Sequence, residues 1–167
     1  MYFVTICTRE KQCHFGNIEE GVMRLSKCGI EVEEWWQNIP HHFLNVTLDQ
    51  YIIMPNHLHG IIAIGLDLKR RGGVPPPAVP AEHQRPTLSS IIGYFKYQST
   101  KAINVIFKRT DGRGNPAPTN DNLPPQLWQR GYYEHVVRNE IDLNRIREYI
   151  QTNPMKWAED KYWINSA

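Results

Sequence analysis

Two stretches rich in β-branched and aromatic residues, Val46–Met54 and His57–Ile64, are separated by nothing but Pro55-Asn56. Each reads as a strand, and Pro-Asn is a turn signal. The second strand opens on His57-Leu58-His59. Side chains at i and i+2 leave a strand on one side, about 7 Å apart along it. His57 and His59 therefore share a face, while Leu58 and, more loosely, Gly60 and Ile62 turn toward apolar packing on the other. Two imidazoles so placed can lean onto one metal ion. Neutral imidazole suits Mn2+, Zn2+ or similar ions, and Mg2+ where oxygen ligands complete the shell. The same spacing also suits two ordinary strand histidines.

The rest of the chain supplies a frame for this pair. Tyr2 to Thr8 reads as a first strand, and Gly16, Asn17 and Gly21 punctuate a short hairpin ending near Leu25. Ser26 caps a helix holding Ile30, Val32, Trp35 and Trp36, which Pro40 closes. Thr87 opens a second helix, with Leu88, Ile91, Ile92, Phe95, Ser99, Ala102, Ile103 and Ile106 at spacings of three and four. Leu127 to Val137 reads as a fourth strand. Asn139 or Asp142 opens a last helix that Pro154 ends or kinks. Two Gly/Pro-rich loops are expected at about 65–86 and 111–125. The order β-α-β-β-α-β-α lacks a sustained βαβα repeat and points to α+β, a split βαβ sheet with helices on one face. At 167 residues the chain suits a single domain.

Composition narrows the function classes. No apolar run approaches the roughly 20 residues of a membrane span, so no membrane role is expected. Three cysteines, Cys7, Cys13 and Cys28, lack metal-finger spacing and suit a reduced cytoplasmic setting. A net charge of +2 says little about nucleic acid, but the basic residues are clustered: Lys69, Arg70 and Arg71; Lys108, Arg109 and Arg113; Arg130, Arg138, Arg145 and Arg147.

Two further stretches could carry chemistry. In the last helix Leu143, Ile146 and Ile150 form a buried stripe, Tyr149 lies at its edge, and Asn153 follows four residues later on the same face. A tyrosine there buries its ring edge and projects its hydroxyl into a cleft, or it is simply a boundary core residue. In Trp128-Gln129-Arg130-Gly131-Tyr132-Tyr133-Glu134-His135, aromatics interleaved with a cation suit stacking on unpaired bases and contact with phosphate. The alternation also matches a half-exposed strand. His135 is a third candidate neighbour of a metal.

Together these stretches resemble one family. Tyr51-Ile52-Ile53-Met54-Pro55-Asn56-His57-Leu58-His59-Gly60 is similar to the histidine–hydrophobic–histidine (HUH) motif of single-tyrosine insertion-sequence transposases. Tyr132 to Glu140 and Tyr149 to Pro154 resemble the end of the same domain. Phe3-Val4-Thr5-Ile6-Cys7-Thr8-Arg9 resembles the opening of the REP-associated tyrosine transposase branch. The resemblance implies a ferredoxin-like antiparallel sheet in a bacterial cytoplasmic protein. It implies Mg2+ or Mn2+ held by His57 and His59, with Asn153 where better-known members place a glutamine ligand. It makes Tyr149 the nucleophile, leaving a 5′-phosphotyrosine and a free 3′-hydroxyl on single-stranded DNA at hairpin-bearing repeats. Lys96, Lys101, Trp128, Arg130, Tyr132, His135 and Arg138 are the expected DNA contacts. Tyr132 and Tyr133 are rival nucleophiles, and the branch is expected to act as a monomer rather than a homodimer.

Two other functions compete. A catalytically silent DNA-hairpin-binding regulator of the same fold is motivated by the short Asn153 amide and by a chain that opens directly on its first strand. A metal-dependent hydrolase of small phosphoesters would make Tyr149 dispensable, but the sequence shows no further strong ligand cluster for it.

Overall fold

The structure is a computed structural model and describes residues 1–65, 86–110, 126–160 and 162. The two expected loops lie outside these residues apart from Gly65 and Pro86. So do Lys69, Arg70, Arg71, Arg113 and the side chains of Lys108 and Arg109.

Strand β1 (Tyr2–Cys7) is followed by the hairpin β2 (Gly16–Glu19) and β3 (Val22–Leu25). Glu20 and Gly21 turn that hairpin with φ of 51° and 75°, the left-handed pair of a tight two-residue turn. Helices α1 (Lys27–Gln37) and α2 (Ile39–His42) lead to β4 (Val46–Met54) and β5 (His57–Ile64). Helix α3 (Leu88–Thr110), β6 (Tyr133–Val136) and α4 (Glu140–Thr152) complete the order, and a 3₁₀ turn spans Asn153–Glu159. The four-stranded sheet runs β4-β5-β1-β6, each pair antiparallel. This is the expected α+β, split β-α-β arrangement, with α1 and α3 together on one face of the sheet and α4 an addition on the other.

The caps explain where the helices begin. Ser26 Oγ accepts from the Gly29 N–H, Thr87 Oγ1 from Ser90, and Asn139 Oδ1 from Asp142, which settles the start of α4. Pro40 does not close α1. That helix ends at Gln37, and Pro40 stands in the first turn of α2, where its missing N–H costs nothing.

Central strand β1 is buried on both faces, and alternate residues face two different cores. Val4 and Ile6 join Leu58, Ile62, Trp36 and Phe95 in the main core, beneath the helical layer of α1 and α3. Phe3 and Ile61 face the other way and meet Leu143, Ile146 and Ile150 of α4. Helix α4 thus crosses the sheet face opposite α1 and α3, the face to which His57 and His59 belong by strand parity. A second tie pins it there. A bulge at Asp49-Gln50 interrupts the β4–β5 register, and Arg147 donates to Asp49 through Nε at 2.9 Å and Nη2 at 2.6 Å. The guanidinium holds the Asp49 carboxyl below its ordinary range.

The expected strand Leu127–Val137 is corrected. Only Tyr133–Val136 pairs with β1, and upstream a lone bridge joins Trp128 to Thr8. Between them Lys96 Nζ donates to the carbonyls of Gln129 at 2.8 Å and Gly131 at 2.9 Å. A lysine thereby satisfies oxygens that a continuous strand would have given to its ladder.

Candidate active site

Strand β5 delivers both histidines to one place. His57 is fully buried and His59 is 1% exposed, and their Nε2 atoms stand 3.0 Å apart. Each Nδ1 is held from behind. His57 Nδ1 lies 2.8 Å from Asn56 Oδ1, and His59 Nδ1 lies 2.8 Å from Thr5 Oγ1 on the neighbouring strand. The Asn56 amide has one orientation, because its Nδ2 donates to the carbonyls of Lys11 at 2.9 Å and Tyr162 at 2.8 Å. Its Oδ1 must accept, so His57 Nδ1 carries a proton, and in the neutral ring the lone pair is left at Nε2. The Thr5 hydroxyl donates or accepts, so its bond to Nδ1 is compatible with either tautomer of His59.

The third group comes from a distant part of the chain. Asp160, just past the 3₁₀ turn, brings a carboxylate oxygen to the two imidazoles, with all three ligand atoms within 4.8 Å of one another. Two buried histidines and a carboxylate form a donor set suited to a divalent cation. The separation fits as well: two nitrogens about 2.1 Å from one ion at right angles lie about 3.0 Å apart. Asn153, expected as a ligand, is buried and turns its Nδ2 toward Asp160 Oδ2 at 3.3 Å. Its Oδ1 is buried with no protein hydrogen-bond partner among the described residues. The sequence showed neither Asp160 nor the backing role of Asn56, because the residues between Tyr149 and Tyr162 carry no ligand spacing and Asn56 resembles any turn residue.

Helix α4 brings Tyr149 to the same point. Its hydroxyl lies 3.3 Å from His59 Nε2, its ring stands 5.1 Å from the His59 ring, and it is 40% exposed. Phe3 meets it edge-on at 6.2 Å. Phe3, Thr5, His59, Tyr133, Tyr149, Asn153, Lys156, Glu159 and Asp160 line a cleft of about 520 Å³.

The other expected site residues scatter. Trp128 is buried, packs 5.1 Å from Phe15 and 5.4 Å from Phe95, and donates its indole N–H to Ser99 Oγ at 3.0 Å. It is a core residue and offers no stacking face. Lys96 is spent on the carbonyls above, and burial pushes its ammonium down to about 8. Tyr132 belongs to the opposite face, its hydroxyl 3.2 Å from Ser89 Oγ on α3. His135 Nε2 pairs with Asp142 at 2.8 Å instead of joining the two histidines, and it holds the Asp142 carboxyl below its usual range. Lys101, Arg130 and Arg138 are exposed.

No protein-family model matches the chain. An uncharacterized protein of Haemophilus influenzae is 36% identical over 168 residues, covering 98% of this chain and 85% of that protein. Among solved structures, a REP-associated tyrosine transposase bound to a REP hairpin is 18% identical over 93% of this chain, with a TM-score of 0.55. This chain spans 66% of that one, just under two thirds of its length. A candidate transposase from Deinococcus radiodurans is 14% identical over 90% of this chain and 87% of its own, with a TM-score of 0.49, too low to carry weight. The chain belongs to one family with the Haemophilus influenzae protein, and it carries the fold of a REP-associated tyrosine transposase.

Proposed function

We propose that this chain cleaves and rejoins single-stranded DNA through a covalent tyrosine intermediate, with Tyr149 as nucleophile and Mg2+ or Mn2+ held by His57, His59 and Asp160. The observation that carries this is the Tyr149 hydroxyl 3.3 Å from His59 Nε2, beside a cluster of two buried histidines and one half-buried carboxylate in the same chain. A bound divalent ion supplies positive charge against the scissile phosphate and favours the phenolate form of a nearby tyrosine.

The chain's own residues do the rest. Tyr149 loses its hydroxyl proton to water at the open mouth of the cleft, and its oxygen bonds the phosphorus. The bond from phosphorus to the 3′ oxygen breaks, and that oxygen takes up a proton. The products are a 5′-phosphotyrosine and a free 3′-hydroxyl. Attack by a different 3′-hydroxyl reverses the steps, so rejoining needs no nucleotide cofactor. In-line attack requires fixed placement. That placement comes from β5 under the histidines and from α4 held by its apolar stripe and the Arg147–Asp49 pair. The hairpin-bound neighbour supports hairpin-bearing repeats as the target and a role in transposition or repeat processing.

Incubating the protein with Mn2+ and labelled single strands that flank a hairpin should give a band that survives denaturation, lost with chelator, whose label maps to Tyr149. Metal-dependent cleavage with no adduct would instead favour a phosphoester hydrolase, for which Asp160 supplies the ligand the sequence lacked. Hairpin binding with neither outcome would favour the silent regulator.

The backing of His57 gives a separate test. Losing the outer partner of a metal-bound histidine typically costs about 10- to 100-fold in metal affinity. Asn56→Ala removes the acceptor at His57 Nδ1 and also releases the Lys11 and Tyr162 carbonyls. Its Mn2+ dissociation constant should rise by about that factor in calorimetry. An unchanged constant would show that Asn56 is not what orients His57.

A further inference from the structure

Tyr133 is the one aromatic of the Trp128–His135 segment that faces the candidate active site. Strand register fixes this: Tyr133 pairs with Thr5, and Thr5 pairs with His59. The three side chains form one row across β6, β1 and β5, on the side where α4 carries Tyr149. Tyr133 is 53% exposed, lines the same cleft as His59 and Tyr149, and meets Phe3 edge-on at 6.4 Å. Tyr149 meets the same Phe3 edge-on at 6.2 Å. Two tyrosines thus pack against one buried phenyl ring, Tyr149 next to His59 and Tyr133 two strands away from it.

The spacing matches a nucleotide. Adjacent strands lie about 4.8 Å apart, so Tyr133 is about 10 Å from His59 across the row. With a phosphate at the histidines and Tyr149, the base of an adjoining nucleotide reaches as far as Tyr133. A rigid aromatic on a paired strand suits the face of an unpaired base, because every base has a π-face and stacking needs no particular sequence. Lys156 also lines the cleft and offers a cation to the phosphates of a bound strand.

We propose that Tyr133 forms a base-stacking subsite beside the scissile phosphate, which takes an unpaired nucleobase from the single-stranded flank. This rests on the DNA-cleaving function proposed above and adds a contact to it.

The test uses binding, so it does not depend on cleavage. In the Tyr149→Phe protein with Mn2+, fluorescence anisotropy would compare a labelled thymidine dodecamer with a dodecamer of abasic sugar-phosphate. Tyr133→Ala should weaken binding of the thymidine strand by about 5- to 100-fold and leave the abasic strand unchanged. Tyr133→Phe and Tyr133→Trp should bind the thymidine strand as Tyr133 does. Equal weakening on both strands would mean a structural or phosphate-contacting role and would overturn the subsite. So would an Ala variant that binds the thymidine strand as tightly as its parent. If the unaltered chain forms the Tyr149 adduct and Tyr133→Ala is silent in binding, the subsite alone falls. If the unaltered chain binds no single strand, the proposed function falls with it.

Discussion

Tyr149→Phe should abolish the covalent protein–DNA adduct while Mn2+ binding and single-strand binding stay as in the unaltered chain. The substitution removes one oxygen and little else. The ring that meets Phe3 edge-on at 6.2 Å and the His59 ring at 5.1 Å remains, and at 40% exposure the lost hydroxyl leaves no buried void. Thermal stability should therefore move by no more than about 0.5 kcal/mol, the range of surface substitutions. Losing the hydroxyl that bonds phosphorus should lower strand cleavage by at least about 10⁴-fold, because the phenyl ring left behind carries no nucleophile. The 3.3 Å approach within one chain adds a second expectation. Mixing Tyr149→Phe protein with His57→Ala/His59→Ala protein should give no adduct, since neither chain holds a whole site. Adduct from the mixture would mean that tyrosine helices exchange between two copies. An undiminished adduct from Tyr149→Phe alone would remove Tyr149 from the mechanism and turn attention to Tyr133, the other tyrosine of the cleft.

What the sequence made legible follows the reach of each kind of pattern. Strand parity is local, so His57 and His59 could be placed on one face and Leu58 on the other without knowing the fold. Helical spacing is local too, and it put Leu143, Ile146 and Ile150 inward with Tyr149 at their edge. Which sheet face α4 covers is not local. Alternation in Phe3-Val4-Thr5-Ile6 shows two faces but not which helix lies over each. Asp160 escaped for the same reason: it reaches the histidines through a 3₁₀ turn after α4, and no spacing within the chain announces that turn. Trp128 misled because alternating aromatic and polar residues look alike in a half-exposed strand and in a buried bridge followed by an irregular segment. The outcome depended on Lys96, more than thirty positions upstream, filling the carbonyls of Gln129 and Gly131. Once the pairing starts at Tyr133, parity assigns Tyr133 to the cleft and Tyr132 to α3.

Gly60→Ala should destabilise the fold heavily, although it adds a single methyl group. Gly60 follows His59 on β5 and turns toward the main core, between Val4 and Tyr51 on the flanking strands. A Cβ there would stand 2.3 Å from Trp36 Cζ2 and 3.0 Å from Cε2 and Cη2. The indole has nowhere to retreat: Trp36 is fully buried, with Phe95 edge-on at 5.3 Å and Tyr51 at 6.3 Å. Overpacking a dense core costs about 1–3 kcal/mol, and contact with a rigid ring puts this case at the upper end, about 3 kcal/mol. For a chain of this size that is a fall of about 6–12 °C in Tm. Strain that pushes β5 away from α1 also moves His59, so Mn2+ affinity should fall in step. Trp36→Phe provides the partner test. The smaller ring opens the space the new methyl needs, and the Trp36 indole N–H has no hydrogen-bond partner among the described residues, so its removal orphans no acceptor there. The double variant should be more stable than the sum of the two single changes predicts, by about 1–2 kcal/mol of coupling. Strictly additive effects, or a Gly60→Ala chain that melts with the unaltered protein, would mean that β5 and α1 are not packed as tightly as their contact at Gly60 requires.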